Sequence, residues 1–449
     1  MSKNMLKFFS IVVITLVFMY AFSASYTSDS VDNISYVIAL AVDKADGEQN
    51  LQVTFEFMDT SSFGDQQSST SGSTIIDTIN ATSINSAINL LNAYVGKAVN
   101  LSHCKVIVFS DELAKEGISA EVSELMNNIQ VRPSTNIIIC KGKAIEYVQN
   151  STSELEKILT KYYDIFPNSS EYTGYTSNIM IGEFYNYLTT KECGNLAILG
   201  GLNPKLSPET SSKGSSDSSN SSEDSSNNSS NQDSSGSSKG DSEDGSKDKP
   251  DNNIPISEMV SGKAPILGER GTENIGLAVL KDGVYIGDLT AMDTLCHTLI
   301  SGEVNSFLLT INNTEVFEKY IDIDLFENTS PKIAVDTSQD IPIITIDIKL
   351  IGRISGIKDG INFSDEPSDL DLDKISGAVE QSLKGYILQY LNKTTSEFKC
   401  DIDYFYNRAK RNFITIDEWK KYNWESRYIN SKFNVNIDSR VYYSLLNSD

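Results

Sequence analysis

Residues 211–250 contain no Ala, Val, Ile, Leu, Met, Cys or aromatic residue and consist mostly of Ser, Asn, Asp, Gly and Lys. Such a segment cannot bury enough apolar surface to offset the conformational entropy that ordering would cost. We therefore predict a disordered insertion over residues 206–253, with a polar centre that behaves as a flexible coil of about 35 Å end to end. The packed core must come from the segments on either side.

Strand patterns and helix patterns alternate before this insertion. Runs of β-branched or alternating apolar residues predict strands over 36–43, 51–57, 104–110, 135–140 and 196–200. Apolar residues at helical spacing predict helices over 84–95, 111–129, 144–149, 154–163 and 179–188. Gly96 suits the end of the first helix, and Gly117 is a weak point inside the second. This alternation indicates α/β or α+β layers on a mixed sheet.

The part after the insertion has signals of its own. Asp282-Gly283 between two short apolar runs predicts a β-hairpin over 274–289, followed by a helix over 290–300. Alternating patterns predict strands with one buried face over 319–325, 331–336, 343–352 and 433–446. A long amphipathic helix is predicted over 373–391, with apolar residues every fourth position at Ile375, Val379, Leu383, Ile387 and Leu391.

The N-terminus has the features of an export signal. Lys3 and Lys7 precede an apolar run over residues 8–22, which only Ser10 and Thr15 interrupt. Positive charge before an apolar segment sends the following chain across a membrane. We predict a signal or anchor segment over residues 1–25. Because a spanning helix needs about 20 apolar residues, the run is short for one, and cleavage and retention are both open.

The formal net charge of −24 limits the possible partners. Such an excess of negative charge argues against nucleic acid and against anionic lipid headgroups. The basic residues Arg408, Lys410 and Arg411 form a cluster that is too small to reverse this expectation.

The cysteines carry no sign of a metal site. The five residues, odd in number and widely scattered, are Cys104, Cys140, Cys193, Cys296 and Cys400. Three of them lie in apolar stretches, where a free cysteine behaves as a small buried hydrophobe. We predict buried free thiols, with a single disulfide as the main alternative.

Catalytic constellations are nearly missing. His103 and His297 are the two histidines, and neither belongs to a known catalytic motif, so we predict structural roles for both. We predict no catalytic, cofactor-binding or metal-binding residue, and no cofactor.

One acidic stretch resembles a calcium-binding loop. Asp369, Asp371, Asp373 and Glu380 stand at positions 1, 3, 5 and 12 of an EF-hand-like pattern, but Lys374 replaces the glycine that the turn needs. We therefore expect these acidic side chains to cap the following helix and to interact favourably with the positive end of its dipole.

Several stretches together resemble the Ger(x)C family of spore germination proteins. The most specific is LSHCKVIVFSDELAKEGI (residues 101–118), which is similar to the family's L-S-H-x-K-V-I-V-F-G-E-E-L-A-x-x-G-I. SYTSDSVDNISYVIALAVD resembles the family's opening, and IGLAVLKDGVYIGDL resembles its hairpin. DIDYFYNRAKRNF, followed by Trp419 and Trp424, resembles the C-terminal domain more loosely.

The resemblance implies an α+β fold of three mixed-sheet α/β-type domains in an elongated arc. We place an N-terminal α/β domain at 26–150, a middle α+β domain at 151–306 and a C-terminal α+β domain at 307–449. It also implies the C subunit of a GerA-type nutrient germinant receptor on the outer face of the spore inner membrane. There it would act without catalysis, together with the membrane-embedded A and B subunits. A small-molecule nutrient would be an indirect partner.

This chain departs from the family at its lipid anchor. Ser25 stands where the family has its lipobox cysteine, and a hydroxyl does not replace the more nucleophilic sulfur. We expect no lipidation at Ser25. The N-terminal segment is then either retained as an anchor or cleaved near Ser23 or Ser25, which would release the protein. An extracytoplasmic solute-binding protein, soluble or tethered, is the alternative function, and an enzyme ranks third.

Overall fold

The computed structural model describes residues 3–23, 33–47, 49–58, 74–151, 159–203, 254–264, 270–312, 320–357 and 372–442. The predicted disordered insertion, Ser25, Asp369 and Asp371 lie outside these residues.

The helices of the described residues are short, except for the first and the tenth. They are α1 Lys3–Ser23, α2 Ile84–Val95, α3 Asp111–Glu116, α4 Ser119–Asn127, α5 Ala144–Asn150, α6 Leu159–Ile165, α7 Ser170–Thr173, α8 Ile181–Leu188, α9 Ala291–Ser301, α10 Leu372–Lys393, α11 Tyr406–Ala409, α12 Ile416–Tyr422 and α13 Trp424–Tyr428.

The strands form two sheets. They are β1 Ile34–Lys44, β2 Leu51–Met58, β3 Thr74–Ala81, β4 Ala98–Asn100, β5 Val106–Ser110, β6 Asn136–Cys140, β7 Asn195–Leu202, β8 Thr272–Lys281, β9 Val284–Leu289, β10 Ser306–Asn312, β11 Tyr320–Asp336, β12 Ile343–Ile357 and β13 Lys432–Tyr442.

The first sheet has nine strands in the order β3-β2-β1-β5-β6-β7-β8-β9, with β4 paired to β1. Its centre is parallel, because β1, β5, β6 and β7 run in the same direction. The flanking strands β2, β3, β8 and β9 pair antiparallel. The predicted domain boundary at residue 150 falls between β6 and β7, which pair in this one sheet.

The second sheet has the order β10-β11-β12-β13. Strand β13 pairs parallel to β12, and the crossover between them contains α10. Strands β10 and β12 alternate buried residues with more exposed ones over most of their length, and β11 does so in its first six residues, as the sequence pattern predicts for a sheet with one wet face. The predicted boundary at residue 306 coincides with the start of β10.

The described residues thus confirm an α+β fold with mixed sheets. The predicted helix over 373–391 is α10, and its five apolar residues at four-residue spacing are all buried. The division into three domains and their arc-like arrangement stay predictions.

Gly117 separates two helices where a single weakened helix was predicted. Its φ of 113° cannot continue an α-helix. The break lets the backbone N–H of Ile118 donate to the carbonyl of Gly283, at 3.0 Å. The hydroxyl of Ser119 donates to the carbonyl of Asp282, also at 3.0 Å. The segment after β5 is thereby joined to the predicted hairpin turn, whose two residues have φ values of 52° and 78°.

We predict that Gly276→Ala destabilises the protein by about 3 kcal/mol, because backbone strain and a steric clash add. Gly276 has a φ of 90°, and a Cβ there would overlap the carbonyl oxygen of Leu289. Gly96→Ala is the matched control, since its φ is 69° but a Cβ would meet no atom within 4 Å. That variant should lose only about 1 kcal/mol. Urea unfolding of both variants measures the difference, and equal losses would contradict the close packing at Gly276.

Candidate functional site

A cluster of buried polar groups lies where the two sheets meet. We call His297, Tyr390, Asp401 and Asp403 the junction cluster. His297 lies in α9 and Tyr390 in α10, and the two aspartates lie in the turn between α10 and α11. All four side chains are buried.

Asp403 is the centre of the cluster. Its Oδ1 lies 2.8 Å from Nδ1 of His297 and accepts a hydrogen bond from the hydroxyl of Tyr390 at 2.9 Å. Its Oδ2 is buried and has no hydrogen-bond partner among the described residues. Such a group is costly unless a positive charge is close by, which makes the contact with His297 essential to this arrangement.

Asp401 uses its carboxylate to hold backbone and indole N–H groups. It accepts from the backbone N–H of Phe405 at 3.1 Å, from that of Tyr406 at 2.7 Å and from Nε1 of Trp424 at 3.1 Å. Its own carbonyl accepts from the N–H of Gly194, which precedes β7. Burial raises the pKa of the Asp401 carboxyl to about 7 despite these donors. The residue therefore joins α11, α13 and the large sheet.

Opposing effects set the charge of His297. Burial by itself lowers the pKa of the imidazole, but the hydrogen bond and the negative charge of Asp403 raise it, as do the charges of Glu303 and Glu183. The net effect is a pKa above the usual histidine value. The raised pKa favours the protonated imidazole, whose Nδ1–H donates to Oδ1 of Asp403.

The junction cluster is poorly suited to bind a substrate. Its carboxylates and imidazole are engaged with protein groups, and solvent does not reach them. The adjacent Cys296 is fully buried, and burial raises its pKa well above the usual thiol value. A thiol of this kind is not a reactive nucleophile. The junction cluster joins α9, α10, α11 and α13 to one another and to the large sheet.

The other residues singled out in the sequence, for which structural or helix-capping roles were predicted, lie apart from the junction cluster. His103 is exposed in the turn before β5, where its ring packs edge-on against Tyr36 with centroids 4.6 Å apart. Asp373 lies in the first turn of α10, and the carboxylate of Glu380 accepts from the backbone N–H of Ser439 at 2.8 Å. Glu380 therefore joins α10 to β13.

All five cysteines are buried and free. Burial raises the pKa of the Cys104 thiol to about 12, and it does the same for Cys400. Thiols with such pKa values are protonated at neutral pH, so they pack as small apolar groups.

A partly open polar pocket of about 240 Å³ lies at the amino ends of β5 and β6. Lys105 and Asp164 form an ion pair at its wall, with 2.7 Å between Nζ and Oδ1, and Arg132 also lines the pocket. The Asn136 amide donates to Oδ1 of Asn178 at 2.7 Å. The remaining lining residues are Ser102, Cys104, Ser134, Pro167 and Met180. Because positively and negatively charged side chains both line it, the pocket suits a small polar or zwitterionic solute better than an apolar one.

Sequence reasoning missed the buried carboxylates. Besides the two aspartates of the junction cluster, Asp43 accepts from the N–H groups of Ala144 and Ile145 at the start of α5. Burial raises the pKa of Glu56 to about 7, and Tyr163 donates to this carboxyl. The available signal was an acidic residue within an apolar or aromatic run, as in CDIDYF.

The N-terminal helix α1 stands apart from this interior. It is 21 residues long, and its apolar side chains from Phe8 to Tyr20 are exposed. Within the part of the chain that the structure describes, no helix meets the length and apolarity needed to cross a bilayer.

The fold defines an α+β protein with two mixed sheets, and buried polar groups join its helices to both parts of the core. Two family models match the sequence. Spore germination protein N-terminal domain matches residues 28–200, and spore germination B3/GerAC-like, C-terminal, matches residues 275–444. The two matches together span more than half of the chain. It therefore belongs to the Ger(x)C family of spore germination proteins.

Individual relatives are distant. YfkR of Bacillus subtilis (strain 168), named as a spore germination protein, is 21% identical over 150 residues, which are 32% of this chain and 38% of the relative. The matched region thus spans less than half of the relative's length. The crystal structure of the GerBC protein has a TM-score of 0.49 and 14% identity, and the match covers 90% of this chain and 96% of that chain.

We predict that Asp403→Asn lowers the free energy of unfolding by about 3 kcal/mol, because it leaves His297 buried without its anion. The loss should depend on pH. Since Asp403 raises the pKa of His297, the stability from the pair is complete below the ordinary histidine pKa of about 6.5 and disappears as the pH rises through the folded-state pKa. The difference between wild type and variant should therefore be larger at about pH 6 than at about pH 9.

Asp324→Asn is the matched control for this measurement. Asp324 also forms an ion pair, 2.8 Å from Nη2 of Arg353, but on the exposed face of the second sheet. We expect it to cost less than about 1 kcal/mol. Denaturant unfolding followed by tryptophan fluorescence gives both values. A loss for Asp403→Asn that grows with rising pH would show that His297 is not the charged partner.

Proposed function

We propose that this chain is a non-catalytic, extracytoplasmic subunit of a spore nutrient germinant receptor. It acts through contacts with the membrane-embedded A and B subunits of that receptor and thereby helps to trigger germination. The observation that carries the proposal is the match of both halves of the chain to spore germination families. A nutrient acts on the complex, and the chain takes part in the response without converting the nutrient chemically.

The interior of the molecule supports a role without catalysis. The two histidines have different surroundings, one exposed beside Tyr36 and one buried against Asp403. Most titratable groups with shifted pKa values, such as Asp401 and Glu56, are shifted by burial. These groups hold backbone N–H groups and aromatic hydroxyls, so a transducing scaffold accounts for them better than an active site does.

We also infer how the chain stays at the membrane. The lipobox position holds Ser25, so the thioether-linked lipid of the family cannot form there. Helix α1 offers exposed apolar side chains from Phe8 to Tyr20, and Lys3 and Lys7 precede this apolar stretch. We propose that the uncleaved segment anchors the protein on the outer face of the spore inner membrane. Cleavage near Ser23 or Ser25 is the competing outcome.

A solute-binding protein is the second candidate, and the polar pocket is the observation that favours it. Lys105, Asp164 and Arg132 offer charges of both signs, which could pair with the ammonium and carboxylate groups of an amino acid. The Asn136 amide is already bonded to Asn178 and to the carbonyl of Ile179, so it contributes less.

We predict that spores lacking this chain lose germination in response to nutrients but still germinate when treated with a chemical germinant that bypasses receptors. The physical reason is that the subunit transmits the nutrient signal and plays no part in the later steps. Germination is followed by the loss of optical density and by ion release. Supplying the full chain should restore the response, and loss of both responses would contradict a receptor role.

Isothermal titration with a panel of amino acids separates the two candidates. A receptor subunit that works through protein contacts should give no tight binding when it is alone. Binding that disappears in Arg132→Ala, and is kept in a control such as Arg353→Ala on the second sheet, would favour the solute-binding candidate instead.

We predict that mass spectrometry of the membrane fraction finds the chain with residues 1–25 present and without a fatty acyl group. Retention is expected because α1 is the proposed anchor and Ser25 cannot take the family's lipid. An acylated N-terminus would overturn the proposal that lipidation is absent. A chain that begins near Ser25 and lies in the soluble fraction would show cleavage and release.

A further inference from the structure

The segment from Arg408 to Lys421 differs in charge from the rest of the molecule, and we call it the basic tip. It contains five basic and two acidic residues in a chain whose net charge is −24. The basic residues are Arg408, Lys410, Arg411, Lys420 and Lys421, and the acidic residues are Asp417 and Glu418. The local balance is therefore positive.

Two large apolar side chains protrude from the same segment. Ile414 is 95% exposed and Ile416 is 65% exposed. Outside α1, few described hydrophobic side chains are as exposed as Ile414. Exposed apolar groups beside basic residues are typical of surfaces that bind a membrane or a protein.

The exposure of these isoleucines results from a well-packed turn. Phe413, directly before them, packs between Trp419 and Tyr422, with ring centroids 5.5 and 4.9 Å away. Thr415 starts α12 through a capping box with Glu418. Because the neighbouring residues are fixed in this way, Ile414 and Ile416 are held outward.

The cations of the basic tip are available to a partner. Lys410, Arg411, Lys420 and Lys421 are exposed, and none of them forms an ion pair with another residue in the described part of the chain. Glu418 is occupied, since its Oε2 accepts from the N–H groups of residues 414 and 415.

The acids around the basic tip are also engaged. Glu192 accepts from Nε1 of Trp419 at 3.0 Å, and Asp340 pairs with Arg427 at 2.9 Å. The carboxylate of Asp336 accepts from the N–H of Ser338. Arg427 thus neutralises Asp340, whereas Glu192 and Asp336 keep their charges. The five cations of the basic tip still outnumber the four nearby carboxylates, so the local charge that a partner would meet is positive; these carboxylates are Asp417, Glu418, Glu192 and Asp336.

The basic tip lies at the edge of the large sheet where β1 begins, and α1 precedes β1 in the sequence. Strands β1, β5, β6 and β7 are parallel, so their amino ends lie at the same edge. Ile34 begins β1, and Glu192, which contacts Trp419, comes shortly before β7. The start of β1 and the basic tip are therefore on one side of the sheet.

We propose that the basic tip is a second membrane contact, which docks on a bilayer surface that contains anionic lipid. This rests on the proposed function in one respect, namely that α1 holds the chain at a membrane. The cations are attracted to anionic headgroups, and the two isoleucines insert at the boundary between headgroups and acyl chains. The two contacts together set the orientation of the subunit on the bilayer.

The negative net charge of the chain does not prevent this contact. Charges in salt solution interact over a Debye length of about 8 Å at physiological ionic strength. Only the groups nearest the bilayer count, and these belong to the basic tip, whose five basic residues outnumber its two acidic ones. The net charge of −24 therefore does not argue against anionic lipid headgroups at this surface.

The test uses the full chain carrying Ile414→Cys, labelled with the environment-sensitive dye NBD. Native cysteines should not compete for the label because all five are buried. The labelled protein is reconstituted from detergent into vesicles of phosphatidylcholine and phosphatidylglycerol, with doxyl-labelled lipid as a quencher. The matched control carries the dye at Asp46→Cys, an exposed position just beyond the carboxyl end of β1 and therefore at the opposite edge of the sheet.

We expect the dye at position 414 to shift its emission to shorter wavelength and to lose more than half of its intensity to the quencher. The dye at position 46 should change little. Vesicles of phosphatidylcholine alone should give weaker quenching at 414. Exchanging Lys410, Arg411, Lys420 and Lys421 for Glu should reduce the quenching at 414 to the level of the control.

Other outcomes overturn the proposal in ways that can be told apart. If the chain floats with the vesicles but the dye at 414 responds like the dye at 46, the second contact is wrong and the α1 anchor stands. If the chain does not float, both are wrong. If quenching is absent but the charge exchange still abolishes nutrient germination, the basic tip binds an acidic protein surface instead.

Discussion

A charge in an apolar interior is costly unless it is paired or receives several hydrogen bonds, and this constraint organises the centre of the molecule. The turn between α10 and α11 carries two buried carboxylates. Asp403 is paired with His297 of α9 and receives a bond from Tyr390 of α10, while Asp401 receives bonds from the start of α11 and from Trp424 of α13. The placement of these elements in the structure gives hydrogen bonds to both residues.

The rest of the C-terminal part follows from this placement. Because Asp401 also accepts through its carbonyl from Gly194, the turn is joined to the start of β7 in the large sheet. Tyr404 stacks on Tyr187 of α8, with centroids 4.0 Å apart, and Trp419 donates to Glu192. These contacts bring α12, and with it the basic tip, to the edge of the large sheet. The interior network therefore determines which surface a membrane or another subunit can meet.

Local patterns predicted most of the regular structure. The predicted hairpin, the helix that became α10 and the buried strands β5 and β6 are present, because periodicity and turn residues specify them within a short window. Strand β3, at one edge of the large sheet, was not predicted. A weak point at Gly117 was predicted, but a complete break of the helix was not. The hydrogen bond that accompanies the break joins Ile118 to the carbonyl of Gly283, which is distant in the sequence.

By itself, the sequence determined the kinds of elements, the α+β class, the family resemblance and the replacement of the lipobox cysteine by Ser25, since each can be read from neighbouring residues. Tertiary structure alone decided that His297 meets Asp403, that Trp419 reaches Glu192 and that the basic tip shares an edge with the start of β1. The physical reason is separation along the chain. His297 and Asp403 are 106 residues apart, and no local pattern encodes a contact over that distance.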